Sequence, residues 1–204
     1  MAVELRKGQK VNLRKKRSES LGEILINLNW SQPQGNGGSG ILGGLFSKKP
    51  KAIDLDLGCL YELVNGDKGS VQALGNNFGS LTYSPYVALD GDDRSGANTE
   101  GENLRVNGKH VADIKRILVY TFIYEGVTNW KEADGIVTVK YPGGDDIIVH
   151  MDEYGSNQGM CAIAIIENYQ GETFSVEKLV RFFDGHQPMD HFYHWGLKWH
   201  TARK

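Results

Sequence analysis

The sequence has little of what marks secreted, membrane-spanning or disulfide-stabilised proteins. Its 204 residues contain two cysteines and five prolines, and the formal net charge is only −2. No segment approaches the roughly 18 apolar residues that a membrane-spanning helix needs. The N-terminus MAVELRKGQK has no apolar stretch of the kind that signal peptides carry. These absences predict a soluble, cytoplasmic protein without a transmembrane segment.

The common catalytic motifs are also missing, since neither GxSxG nor HExxH occurs. Cys59 and Cys161 each lie inside an apolar, strand-like run, which favours buried free thiols over a disulfide and indicates a reducing compartment. Neither cysteine has basic neighbours in sequence that would activate a thiolate. The sequence therefore predicts a protein that is not an enzyme. With 204 residues, of which 40% are hydrophobic, the chain can bury the core of one domain over residues 1–204.

The hydrophobic pattern has a period of two residues, which is typical of β-strands. Residues 23–30 alternate apolar and polar side chains, and residues 117–124 form an apolar, β-branched and aromatic run. Turn sequences such as Asn65-Gly66 and the segment 142–145 separate further candidate strands. The predicted fold class is all-β, an antiparallel β-sandwich.

An acidic segment, DGDDRSGANTEGEN, lies between two apolar segments at residues 90–103. It holds five carboxylates against one arginine, a local charge of 1 − 5 = −4 in a chain whose total is −2. Carboxylates about 6 Å apart repel by roughly 3 kcal/mol at an effective dielectric of about 20, so the segment needs water or a cation to screen it. We interpret this acidic loop as a cation-binding loop.

Asp54 and Asp56 alternate with apolar residues in AIDLDLGCLYEL, so they are expected on one face of a strand. A rise of about 3.3 Å per residue puts their Cα atoms roughly 6.6 Å apart, close enough to share one hard cation. The alternative is a solvent-facing strand that simply carries acidic residues. A carboxylate pair can also serve glycoside hydrolysis, but two acids that share a cation both stay ionised, whereas a general acid needs a raised pKa.

The acidic loop offers oxygen ligands without sulfur or imidazole, which favours calcium over zinc and, given the number of donors, over magnesium. Charged oxygens come from Asp92, Asp93 and Glu102, and neutral ones from Ser95 and Asn103; Gly96 and Gly101 allow the backbone to turn. An EF-hand alignment is only partial, because its first acid falls on Gly91 and the flanking sequence predicts a strand. Asp90 and Glu100 are expected to be flanking charges.

Two further segments depart from the strand pattern. Residues 31–51 are rich in glycine and predict a flexible surface insertion; its GNGGSG lacks the following helix and Lys-Ser/Thr pair of a phosphate-binding loop. Residues 1–20 hold seven Lys or Arg against two Glu and include the run Arg14 to Arg17, which predicts a solvated basic arm. The alternative is docking of this arm on an anionic partner, including a membrane surface. Without interleaved aromatic residues, no nucleic-acid partner is expected.

The tail, residues 185–204, mixes histidine and aromatic side chains. His191 and His194, together with Asp190, have a spacing that could suit a transition metal. We favour packing of the tail's aromatic surface on the sandwich, with a short helix starting near Pro188. A partner-docking patch is the third interpretation of the tail.

Taken in order, five segments resemble the TerD-type tellurium-resistance and stress-response family, and the likeness covers nearly the whole chain. They are KGQKVNL, DLDLGCLYEL, GNNFG, VALDGDDRSGANTEGEN and RILVYTFIYEG. The resemblance implies a β-sandwich that binds one or two calcium ions and has protein partners from the same stress or resistance system. It carries the metal ligands over to Asp54, Asp56, Asp92, Asp93, Ser95, Gly96, Glu102 and Asn103.

The chain departs from the family pattern in ways that resemble its TerA-like branch. The acidic loop is one residue longer than the family's, Asn98 replaces a glycine, and Leu104 replaces the final acid. Gly58 stands where the family motif has a serine. These changes predict weakening or loss of one of two calcium sites. The sequence thus predicts a calcium-binding stress-response module that acts by ion-dependent binding or scaffolding; the alternative is a calcium-dependent lectin-like module or hydrolase.

Overall fold

Two facing β-sheets form a sandwich, which confirms the predicted fold class. The structure, a computed structural model, describes residues 1–14, 20–31, 53–91, 101–125, 130–152 and 156–201. Within these ranges, β1 and β11 are the only parallel neighbours; the other paired strands are antiparallel. None of the described helices is long and apolar enough to cross a membrane.

The first sheet has the strand order β1-β11-β10-β3-β8-β7-β6. Its strands are β1 (Ala2–Glu4), β3 (Glu23–Asn29), β6 (Gly79–Ser80), β7 (Val87–Leu89), β8 (Glu102–Asn107), β10 (Ile136–Lys140) and β11 (Asp146–His150).

The second sheet has the order β2-β13-β12-β9-β4-β5. Its strands are β2 (Lys10–Asn12), β4 (Asp54–Leu63), β5 (Lys68–Gln72), β9 (Ile114–Glu125), β12 (Met160–Tyr169) and β13 (Thr173–Phe183). The described helices are α1 (Trp130–Ala133), α2 (His186–Phe192) and two 3₁₀ turns, Leu74–Asn76 and Gly108–His110.

Alternation along the strands builds two apolar layers. Odd-numbered residues of β9, such as Ile117 and Val119, face the core between the sheets, which also contains Ile26 of β3. Even-numbered ones, such as Leu118 and Tyr120, belong to a second apolar cluster on the outer face of the second sheet. That sheet is therefore covered on both faces, which explains why its strands are apolar runs without clean alternation.

The strand and cysteine predictions are confirmed, whereas the prediction for the N-terminal segment is not. β9 contains the predicted strand 117–124, and both cysteines are buried free thiols, as predicted. The predicted solvated arm is wrong for residues 1–14, because β1 and β2 extend the two sheets and Leu5 and Leu13 are buried in the core. Residues 15–17 of the basic run and residues 32–52, which include nearly all of the glycine-rich insertion, lie outside the described ranges.

Candidate functional site

The two sheets are joined by a hydrogen bond between candidate ligand segments. The backbone N–H of Leu57 donates to Oε2 of Glu102 at 2.6 Å, so a carboxylate of β8 lies against β4 one residue beyond Asp56. The contact forms on the part of β4 that β5 does not pair with, since that pairing begins only at Gly58. Glu102 points into the sandwich, on the same face of β8 as Leu104 and Val106.

The carboxylates at this junction are largely removed from solvent. Asp56 is 1% exposed and Glu102 is 3% exposed, and one oxygen each of Asp54, Asp56 and Glu102 is inaccessible to solvent. The burial of Asp56 argues against acidic decoration of a solvent-facing strand. Burying an ionised carboxylate costs free energy unless hydrogen bonds or a cation stabilise it. The carboxylates of this junction therefore need such partners.

Asp56 also influences a buried tyrosine. Burial raises the pKa of Tyr120 well above its usual value, and the nearby Cys59 and Asp56 raise it further. Tyr120 keeps its proton and donates it in a 2.5 Å hydrogen bond to Oε1 of Gln72. Tyr120 is thus an uncharged side chain, held in place by Gln72, close to Asp56.

Both ends of the acidic loop are fixed beside Glu102. The N–H of Asp90 donates to the carbonyl of Asn103 at 3.0 Å, and the single Nε–H of Arg105 is shared by the two carboxylate oxygens of Asp90, at N···O distances of 2.6 and 2.8 Å. Gly101 adopts φ 70°, and a Cβ there would lie 2.1 Å from the carbonyl oxygen of Leu28. Only glycine fits this approach, which sets where the segment enters β8.

The structure brings some predicted ligands together and leaves others apart. Glu102 reaches the backbone of β4 at Leu57. Asp54 and Asp56 alternate with core residues of β4 and therefore lie together on its other face. Asn103 lies on the opposite face of β8, where its amide oxygen accepts a 2.9 Å hydrogen bond from Nδ2 of Asn27. The remaining predicted ligands, Asp92, Asp93, Ser95 and Gly96, lie outside the described residues.

Among the residues that the structure describes, no three His, Cys, Asp or Glu side chains are arranged to hold a metal ion. This finding covers the histidine tail as well as the β4–β8 junction. Asp190 instead accepts hydrogen bonds from the N–H groups of Gly196 and Leu197 and from Nε1 of Trp199.

The tail packs on the outer face of the second sheet, as its aromatic content predicts. We call residues 186–199 the strap. Trp195 is buried and donates from Nε1 to the carbonyl of Tyr61 at 3.0 Å, while Arg116 stacks 3.8 Å from the centre of the Trp195 ring. Arg116 also donates to the carbonyls of Tyr193 and His194. Sequence reasoning missed this role of Arg116, because its partners lie more than 70 positions away.

The TerD domain family model matches residues 1–140 of this sandwich. The chain belongs to the TerD family. The matched part of this TerD-family chain ends at β10, so β11, β12 and β13, which complete both sheets, lie beyond it.

Curated relatives carry tellurium-resistance names. The chain is 43% identical over 185 residues to tellurium resistance protein TerA of Alcaligenes sp., covering 91% of this chain and 53% of the relative. It is 32% identical over 141 residues to tellurium resistance protein TerX of Serratia marcescens, covering 62% of this chain and 64% of the relative. The chain therefore spans between half and two thirds of the length of these relatives.

Two solved structures share the fold. A homologue of telluride resistance protein (TerD) from Streptomyces coelicolor superposes with a TM-score of 0.56 at 14% identity, covering 83% of this chain and 95% of that one. A crystal structure of a protein of unknown function gives a TM-score of 0.58 at 11% identity, covering 84% and 95%. At these identities the likeness concerns the fold alone.

Proposed function

We propose that the chain is a calcium-binding module of a tellurium-resistance or stress-response system that acts by ion-dependent binding, without catalysis. Membership of the TerD family and the tellurium-resistance names of TerA and TerX support the biological role. Because those relatives are longer, their additional segments and partners are expected to contribute to the complete resistance function.

The observation that carries the calcium proposal is the junction where Glu102 of β8 meets Leu57 of β4. Glu102 lies at the end of the acidic loop, which is closed by the bond between Asp90 and Asn103, and it contacts β4 one residue beyond the buried Asp56. All these candidate ligands are hard oxygen donors, which suit calcium.

Among the described residues, no three acidic side chains are arranged to hold one ion, so a calcium shell here needs ligands from the acidic loop. Calcium takes six to eight oxygen ligands, and Asp54, Asp56 and Glu102 are described candidates for only a few of them. Asp92, Asp93, Ser95 and a Gly96 carbonyl would supply the others from the acidic loop. A bound ion would contribute positive charge that screens the carboxylates and ties the loop to both sheets. The ordered loop would then form the binding surface.

Thermal unfolding with and without calcium tests the proposal. Calcium at about 100 times its Kd should stabilise the chain by about 2.7 kcal/mol, which corresponds to a rise in Tm of about 5–10 °C for a domain of this size. Differential scanning calorimetry in calcium and in chelator measures the shift, and isothermal titration calorimetry counts the ions. One ion rather than two is expected, because Leu104 is a fully buried core residue and offers no side-chain oxygen.

Matched variants separate ion binding from general destabilisation. Glu102→Gln keeps an oxygen that can accept the Leu57 hydrogen bond but removes the negative charge. Asp54→Asn likewise replaces a charged carboxylate of β4 by a neutral amide of the same size. Both should lose most of the calcium-dependent shift, whereas Asp184→Asn, an exposed acid near α2, should keep it. A Tm that is identical in calcium and chelator would contradict the proposal.

A further inference from the structure

A second concave site lies on the outer face of the second sheet, at the far end of β9 from the acidic junction. Its cavity has a volume of about 420 Å³, within the usual range for small-molecule sites. Arg116, Glu167, Ser175 and Asn12 form one continuous cross-strand row from β9 through β12 and β13 to β2. Lys10, Lys115 and Tyr169 also line the cavity.

The cavity is positively charged although the whole chain is slightly acidic. Its walls contain three cations, Lys10, Lys115 and Arg116, and one carboxylate, Glu167. Glu167 is already neutralised by Lys10, whose Nζ lies 2.7 Å from its Oε2. If the adjoining Lys68, Glu62 and Glu177 are included, the group carries 4 − 3 = +1. A concave surface lined by cations concentrates anions from solution.

The three cations differ in whether they have N–H donors available for a ligand. Arg116 is held by Glu62 and by the carbonyls of Tyr193 and His194, so it supplies charge rather than new hydrogen bonds. The Lys115 side chain is 58% exposed and donates to Oε1 of Glu62 at 2.7 Å. An ammonium group has three N–H donors, so Lys115 can reach an additional acceptor in the cavity. Lys10 is 44% exposed and lies between Glu167 and Glu177.

We propose that this cavity binds a small oxyanion through Lys115 and Lys10, with the Asn12 amide and the Tyr169 hydroxyl as neutral donors. Charge-assisted hydrogen bonds from two ammonium groups favour a compact divalent anion with several equivalent oxygens. Arg116 keeps the floor of the cavity positive because the strap holds its guanidinium in place. The site is independent of the proposed calcium site, since no residue is shared between them.

Sulfate is a suitable probe because it is a divalent anion with four equivalent oxygens at neutral pH. Titration of sulfate into the isotope-labelled chain at constant ionic strength should give saturable amide shifts near Asn12, Arg116 and Tyr169. Lys115→Gln should weaken the apparent affinity about tenfold, since it removes one charge-assisted hydrogen bond, and Lys10→Gln should act in the same direction. Lys140→Gln, an exposed lysine on β10 of the other sheet, is the matched control and should leave the affinity unchanged.

A second titration with tellurite compares another oxyanion at the same site. Saturable binding of either anion supports the site, and the tighter of the two indicates the ligand class. Equal shifts with chloride, or an affinity that Lys115→Gln does not change, would overturn the proposal. Asp54→Asn should leave sulfate binding intact and Lys115→Gln should leave the calcium shift intact, so failure of one proposal is distinguishable from failure of the other.

Discussion

His186 shows how a single residue can make stability depend on pH. Its ring lies 5.3 Å from the rings of Tyr120 and Phe122 and 4.8 Å from Trp199, measured between centroids. Burial in this apolar setting lowers its pKa to about 4 from the ordinary 6.5. Between these two values the unfolded chain takes up a proton that the folded chain does not, so stability falls as pH falls through this window.

We expect the free energy of unfolding to drop by about 2–3 kcal/mol between pH 7 and pH 4 because of His186. His186→Phe cannot be protonated and should remove this part of the pH dependence, as measured by urea denaturation at a series of pH values. His191→Phe changes an exposed histidine of the same helix and should retain it. A pH profile that is the same for wild type and His186→Phe would show that another group is responsible.

At the scale of residues, the sequence predicted the alternation along β4 but not how β8 reaches that strand. Asp54 and Asp56 were expected on one strand face by alternation, and they share the face of β4 opposite to that of the core residues Leu55 and Leu57. The sequence analysis treated Asn103 as part of the acidic loop and so did not predict that its side chain lies on the outer face of β8. The alternation of ENLRVN offered the signal, since Leu104 and Val106 place Glu102 inward and Asn103 outward. The Leu57–Glu102 bond joins residues 45 positions apart and has no local signal.

At the scale of elements, the strap depends on a network anchored by Trp195. Glu62 is central to this network; burial alone would raise its pKa, but hydrogen bonds from Lys115 and Arg116 outweigh burial and lower it. Glu62 therefore stays ionised and fixes Arg116 beneath the Trp195 ring. Lys68 donates to the carbonyl of Trp195, which links β5 to the strap as well.

Trp195→Ala should destabilise the chain by about 3–5 kcal/mol, because it opens a cavity and removes the bond to Tyr61. Phe192→Ala, in contrast, removes a half-exposed ring that packs on Arg181 and should cost about 1 kcal/mol. Chemical denaturation gives both values, and limited proteolysis shows whether the strap detaches before the sandwich unfolds. Equal costs for the two variants would mean that the strap is not anchored at Trp195.

At the scale of the whole molecule, polar links supplement the apolar core in joining the sheets. Lys178 of β13 is buried, with only 3% of its side chain exposed, and its Nζ lies 3.0 Å from Oδ1 of Asp152, which follows β11 of the other sheet. Burial would raise the pKa of Asp152, but the hydrogen bond from Lys178 outweighs this and lowers it. Asp152 therefore stays ionised at neutral pH.

Asp152→Asn should destabilise the chain by about 1–2 kcal/mol, since it leaves a buried ammonium without its counter-charge while solvent at Asp152 screens part of the loss. Lys178→Met combined with Asp152→Asn should recover much of that loss, because no unpaired charge remains. A double-mutant cycle by urea denaturation measures the coupling. Additive effects of the two substitutions would show that the pair does not link the sheets energetically.

The sequence by itself determined the β-sandwich class, because a period of two residues follows from strand geometry and needs no tertiary information. It also determined the hard-oxygen chemistry of residues 54–56 and 90–103, because ligand preference depends on residue type. Only the tertiary structure decided that Asp56 is buried, that Glu102 crosses from one sheet to the other, and that residues 1–14 join the sheets instead of forming a solvated arm. These outcomes depend on contacts between residues far apart in the chain, which local patterns do not encode.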